Sequence, residues 1–248
     1  MKRAGIFTGS ALTALILGAA AALASANGNQ PTYAEIVYSE EADHRGYGST
    51  TKLGTATGAY QFTFETLQEL GYVEKGQQRP AFGADPWDGI RWTGKGDVNS
   101  RTEFLANTSA QDQALGDFTE RNWTSIQSKV PLNTEVNGVP MTKSGALFAT
   151  HMLGSGGFRQ WESCGFKAHC LDHTQAAANN MTKGQLQAKL MGRLAKGAGV
   201  DPSTITDGSG SGAGMGMGGG EVSFEMVQMK LMPWDSPGMR PSMLPGDM

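Results

Sequence analysis

Apolar positions in the first two hundred residues recur at spacings of three and four, the period of an amphipathic helix, and polar capping residues stand in front of them. Thr32-x-x-Glu35 is a capping box ahead of Ile36 and Val37. Phe64, Leu67 and Leu70 share one helix face, and Gly71 follows as a stop. Ser100-x-x-Glu103 caps a turn bearing Phe104 and Leu105, and the spacing predicts a longer helix over 110–123 with Ala114, Leu115 and Phe118 inward. Residues 142–153 form a strongly apolar segment (Ala146, Leu147, Phe148, Met152) that should end at Gly154. Thr182-x-x-Gln185 caps a last helix with Leu186, Leu190 and Leu194 on one face. Between these segments, residues 76–99 are rich in Gly, Pro and Trp and read as a long loop lining a cleft. Glu135-Val136-Asn137-Gly138-Val139 has the signature of a hairpin with an Asn-Gly turn. The expected fold is mainly α.

The two ends of the chain differ from this middle. Lys2 and Arg3 precede an uncharged apolar run, Ile6 to Leu23, and Ala24-Ser25-Ala26 is a small-x-small cleavage site. Residues 1–26 therefore read as a signal peptide rather than a retained anchor, and the mature protein as periplasmic or secreted, without a permanent membrane span. The body of the chain is 27–206. Residues 207–220 are a Gly/Ser/Met linker, and 221–248 form an apolar tail that either docks on an envelope protein partner or folds back on its own domain.

The charge balance is slightly acidic, −3 over 248 residues, and there is no basic run, which argues against nucleic acid as a partner. The only two cysteines, Cys164 and Cys170, sit close together in an exported chain and point to a disulfide. His169 and His173 lie nearby, but C-x5-C is not a usual zinc spacing, and neither a metal nor a cofactor is expected.

The segment with the most chemistry is 32–62. A short helix delivers adjacent carboxylates, Glu40 and Glu41. After a glycine-bearing loop comes Gly58-Ala59-Tyr60-Gln61-Phe62. A carboxyl at a helix end, facing a Gly/Tyr/Gln segment, suits general acid chemistry on a sugar bond. Ile36 and Val37 stand four and three residues before Glu40, which should set Glu40 over the apolar face, with Glu41 one step further round.

Residues 58–62 resemble the Gly-Ala-x-Gly-x-x-Gln strip of the lytic transglycosylase and goose-type lysozyme superfamily. Residues 149–161, ATHMLGSGGFRQW, are similar to its Ala-Tyr-Asn-Ala-Gly-x-Gly segment, with His151 and Met152 in the places of the tyrosine and asparagine. Residues 92–123 look like the middle helices of a phage- and plasmid- or secretion-associated branch. The resemblance is collinear over about residues 32 to 195. It implies a lysozyme-like, two-lobed helical domain with a substrate cleft. It also implies a periplasmic enzyme cleaving the MurNAc–GlcNAc β-1,4 bond of peptidoglycan with a single glutamate. Carried over, Ile36-Val37-Tyr38-Ser39-Glu40 makes Glu40 the acid. Glu41 stands where the family has serine and is the alternative. Gly58, Tyr60, Gln61, His151 and Gly154 become candidate saccharide contacts. A hydrolase would need a second acid, for which Asp43 is nearest in sequence. The competing reading is an inactive lysozyme-fold component of a secretion, conjugation or phage-like machine that binds peptidoglycan.

Overall fold

The computed structural model describes residues 30–51, 54–79, 87–200 and 204; the expected signal peptide, linker and tail fall outside them. Among the described residues the chain is mainly helical: α1 Tyr33–Glu41, α2 Phe64–Glu69, α3 Arg101–Ala106, α4 Thr108–Ile126, α5 Lys143–Ser163, α6 His173–Ala178 and α7 Lys183–Ala198. Two short antiparallel hairpins interrupt the helices. Strands β1 Ala56–Thr57 and β2 Phe62–Thr63 flank the Gly58–Gln61 turn, and β3 Glu135–Val136 pairs with β4 Val139–Pro140. None of the described helices is long and apolar enough to cross a membrane.

Most helix starts follow from their caps. Thr32 accepts from the Glu35 backbone N–H while the Glu35 carboxylate accepts from the Thr32 N–H, and Thr182 and Gln185 make the same reciprocal pair. Ser100 and Thr142 cap α3 and α5 through their hydroxyl oxygens. Asn137 (φ 50°) and Gly138 (φ 79°) both adopt the left-handed region that a two-residue hairpin turn needs.

Helix α5 runs further than its pattern suggests. At Gly154 the backbone turns to φ 71°, ψ 164°, a conformation essentially reserved for glycine, and helical structure resumes to Ser163. Tertiary packing holds this second half. Phe158 and Trp161 are fully buried, Trp161 lies edge-on to Phe166 at 5.0 Å, and its indole N–H donates to Gln187 Oε1 on α7 at 2.7 Å. Helix α6 has no strong apolar period and was not anticipated; Asp172 starts it by accepting from the Thr174 N–H.

Helices α5 and α7 pack at backbone contact, and two glycines permit it. A Cβ placed at Gly197 would lie 2.5 Å from Gly145 Cα and 2.6 Å from its nitrogen; one at Gly145 would lie 2.7 Å from the Leu194 carbonyl oxygen. Backbone cannot rotate aside, so Gly197→Ala should force the helices apart. The expected loss is about 1–3 kcal/mol, exceeding the roughly 1 kcal/mol that alanine gains in helix propensity. A denaturation midpoint equal to or above wild type would refute this close approach.

The disulfide between Cys164 and Cys170 is present at the C-terminal end of α5.

Candidate active site

The two glutamates at the end of α1 have opposite environments. Tyr33, Val37 and Glu41 stand at i, i+4 and i+8, so they form one stripe along the helix. All three are buried, at 3%, 0% and 7% exposure. Glu40 lies one step round, beyond Ile36, at the edge of the buried face. The sequence pattern placed Glu40 over the apolar face; in the structure Glu41 is the inward residue.

Glu41 enters a cluster assembled from three helices. Arg193 on α7, itself 2% exposed, donates from Nη2 to Glu41 Oε1 at 2.8 Å. Its guanidinium also lies over the Phe148 ring at 4.7 Å. His151 on α5 is 1% exposed, with Nε2 3.9 Å from Glu41 Oε1 and 3.1 Å from the Tyr60 carbonyl oxygen. A carbonyl only accepts, so His151 Nε2 carries the proton and donates it to Tyr60 O. Phe62 and Phe118 enclose the imidazole. The cluster thus ties the end of α1 to the Gly58–Phe62 strip through α5 and α7. Lys189 lies on the edge of the cluster. Burial pushes its ammonium below the ordinary lysine value, Arg193 adds to that, and Glu41 and Glu40 oppose it.

Glu40 turns the other way. Its side chain is 26% exposed, and Lys196, one turn beyond Arg193 on α7, donates to its Oε1. Asp43, the nearest further acid, accepts from the Ser49 hydroxyl at 2.6 Å and from the Arg45 guanidinium at 2.7 Å. Partial burial raises its carboxyl, but the Arg45 and Ser49 hydrogen bonds together outweigh that and hold it at about 2. Arg45 Nη1 then donates to Thr50 Oγ1 at 3.0 Å, which fixes the loop leaving α1.

The Gly58–Phe62 strip is held from within. Gln111 on α4 is the clamp: its Oε1 accepts from the Ala59 N–H at 2.8 Å, and its Nε2 donates to Phe104 O at 2.8 Å and Tyr47 O at 3.1 Å. Gly58 sits at φ 80°, and a Cβ there would collide with the Gln111 carboxamide oxygen, so both geometry and space demand glycine. Gln61, itself at φ 51°, folds back to donate from Nε2 to Gly58 O at 2.7 Å. Tyr60 donates its hydroxyl to Asp112 Oδ1 at 2.6 Å, and Tyr47 donates to the same oxygen at 2.8 Å. Of the expected saccharide contacts, then, Gly58, Tyr60, Gln61 and His151 are buried supports, and Gly154 is the half-buried kink of α5.

Burial is the leading cause of raised hydroxyl pKa values at all five tyrosines, and it pushes Tyr47 up to about 12. Groups raised in the folded state contribute stability that is complete below the unfolded value near 10 and drains away as pH rises past it. Tyrosinate absorbance should therefore appear together with loss of helical circular dichroism, above about pH 10. Tyrosinate forming at pH 10 in a fully helical protein would contradict the burial of this cluster.

Among the described residues a groove of about 480 Å³ is lined by Thr50, Trp87, Asp88, Ser100, Arg101, Thr102 and Leu105. Thr50 connects it to the Asp43–Arg45 loop and hence to the end of α1. Trp87 and Trp92 stack at 5.9 Å, and the Trp87 indole N–H donates to Gly54 O at 2.5 Å, so both rings pin the loop.

Sequence reasoning missed Gln111, Asp112 and Arg193. A signal for Arg193 was present: it falls at i+7 from Leu186 on the apolar stripe of α7, where a cation demands a buried partner. Gln111 likewise sits four residues before Leu115 on the buried face of α4.

Comparison of the chain with protein-family models, curated proteins and solved structures returned no match.

Proposed function

We propose that this chain is a lysozyme-like, peptidoglycan-cleaving enzyme of the lytic transglycosylase type, with Glu40 as its single acid–base. The observation that carries this reading is the division between the adjacent glutamates. Glu41 is sealed against Arg193, with a side chain 1% exposed, and cannot reach a polymer. That anchor leaves Glu40 as the carboxyl presented at the helix end. In its protonated form Glu40 gives a proton to the glycosidic oxygen between N-acetylmuramic acid and N-acetylglucosamine. The resulting carboxylate takes the proton of the muramic C6 hydroxyl, whose oxygen attacks C1 and closes a 1,6-anhydro ring. The proton count balances on one residue, and no second carboxylate is consumed. Asp43, held at about 2 by Arg45 and Ser49, suits a loop anchor better than a second proton donor. Export to the periplasm and work beside an envelope-spanning apparatus belong to the same proposal.

One observation favours a second reading, an inactive glycan-binding part of such an apparatus. Lys196 donates to Glu40 and so occupies the carboxyl that would have to meet the glycan. Incubation of the full chain with purified cell-wall sacculi separates the two. Release of anhydro-muropeptides, read by mass spectrometry, supports the enzyme. Co-sedimentation without release supports the binding module. Neither binding nor release would remove both.

A further inference from the structure

The loop that closes α5 carries chemistry unrelated to the glutamates. Cys164 caps the helix, residues 168–170 form a 3-10 turn, and His169 is exposed beside its bonded neighbour Cys170. One imidazole nitrogen and the two sulfurs lie within 4.8 Å of one another. A tetrahedral Cys2His site needs sulfur–metal distances of about 2.3 Å and nitrogen–metal distances of about 2.0–2.1 Å, which spaces the donors about 3.5–3.8 Å apart. Freed sulfurs must therefore separate from bonding distance, and the exposed imidazole starts no more than 4.8 Å from them.

We propose that Cys164, His169 and Cys170 form a thiol-gated site for a thiophilic divalent cation of the zinc class. It is closed while the disulfide stands and opened by a thiol reductant. In the opening step two reductant thiols supply two electrons and two protons. The S–S bond breaks, each cysteine sulfur gains a hydrogen, and the reductant departs as its own disulfide. The cation then displaces the two thiol protons and binds two thiolates and one imidazole, which leaves the fourth position to water.

The loop keeps its shape without the covalent link. Gly165 and Phe166 donate their backbone N–H groups to Glu162 O at 2.8 Å and Trp161 O at 2.9 Å. Gln187 Nε2 donates to Phe166 O at 2.8 Å, and Lys183 Nζ donates to His169 O at 3.1 Å. Phe166, between Cys164 and His169, and Leu171, directly after Cys170, are both buried. So short a loop gains little from its cross-link in the chain-entropy picture, and the reduced domain stays folded with its three donors converging.

The test uses the full chain, reduced with a trialkylphosphine under inert gas and titrated with Co2+ and then Zn2+. The expected result is one equivalent of Co2+ with a thiolate-to-cobalt charge-transfer band, displaced by Zn2+. Neither the oxidised chain nor Cys170→Ser should show the band. His169→Ala, an exposed change, should keep the fold and weaken Zn2+ binding by about tenfold or more, at least the effect of losing an outer-shell partner. Absence of the band in the reduced chain, or unchanged Zn2+ affinity in His169→Ala, overturns the site. Circular dichroism of the reduced chain serves as the second measurement. Unfolding on reduction that Co2+ does not reverse also overturns it, since the site requires the folded loop.

Discussion

Arg193→Met is expected to destabilise the domain by about 3–5 kcal/mol, the usual cost of removing one partner of a buried ion pair. At about 2–4 °C per kcal/mol for a chain of this size, the melting temperature should fall by on the order of 10 °C. The reason is asymmetric. Wild type brings two charges out of water and repays much of that by placing them 2.8 Å apart. The variant keeps the Glu41 carboxyl inside and takes away the guanidinium, so the cost of bringing that carboxyl out of water is no longer offset by this pair. Adding Glu41→Leu to Arg193→Met should recover much of the loss, because an apolar pair of similar volume needs no desolvation. Urea denaturation of the two single variants and the double variant measures the coupling directly. A single-variant loss below about 1 kcal/mol would show that Glu41 is not in the interior.

The second large effect falls on catalysis. Under the proposed function, Glu40→Gln should lower the rate of anhydro-muropeptide release by about 10²–10⁴-fold, the range attributed to a general acid–base group. Its stability should stay within about 0.5 kcal/mol of wild type, as for most surface changes away from the core. Glu41→Gln should do the reverse. It leaves the Arg193 cation buried against a neutral amide, costs about 1–3 kcal/mol, and leaves turnover per folded molecule nearly unchanged. Measuring both quantities on both variants guards against mistaking an unfolded enzyme for an inactive one. If Glu41→Gln abolished release while Glu40→Gln left it intact, the acid would be Glu41, and the cluster with Arg193 and His151 would be the reaction centre instead of its support.

The elements that could be read in the chain are those whose determinants are local. The capping boxes at Thr32 and Thr182, the caps at Ser100 and Thr142, and the Asn137-Gly138 turn each specify structure through hydrogen bonds or φ values spanning three or four residues. The apolar stripe of α7 at Leu186, Leu190 and Leu194 is equally local. Failures came where one element leans on another. The second half of α5 has a glycine at its start, and only the seating of Phe158 and Trp161 against Phe166 and α7 makes it continue. The Gly58–Phe62 strip was legible as a tight glycine-requiring segment. Its partners, Gln111 and Asp112, come from α4, and they turn its polar groups inward.

The amino-acid sequence determined that a helix would carry two carboxylates to its end and that a glycine-bearing strip would follow. It did so because helix period, caps and turns are short-range. Which carboxylate faces the interior is a different matter: neighbouring helical residues point about 100° apart, and the choice rests on where Arg193 lies, 152 positions further along the chain. Only the packing of α7 on α1, allowed by the glycine contact between α7 and α5, brings that cation to Glu41 and leaves Glu40 at the surface.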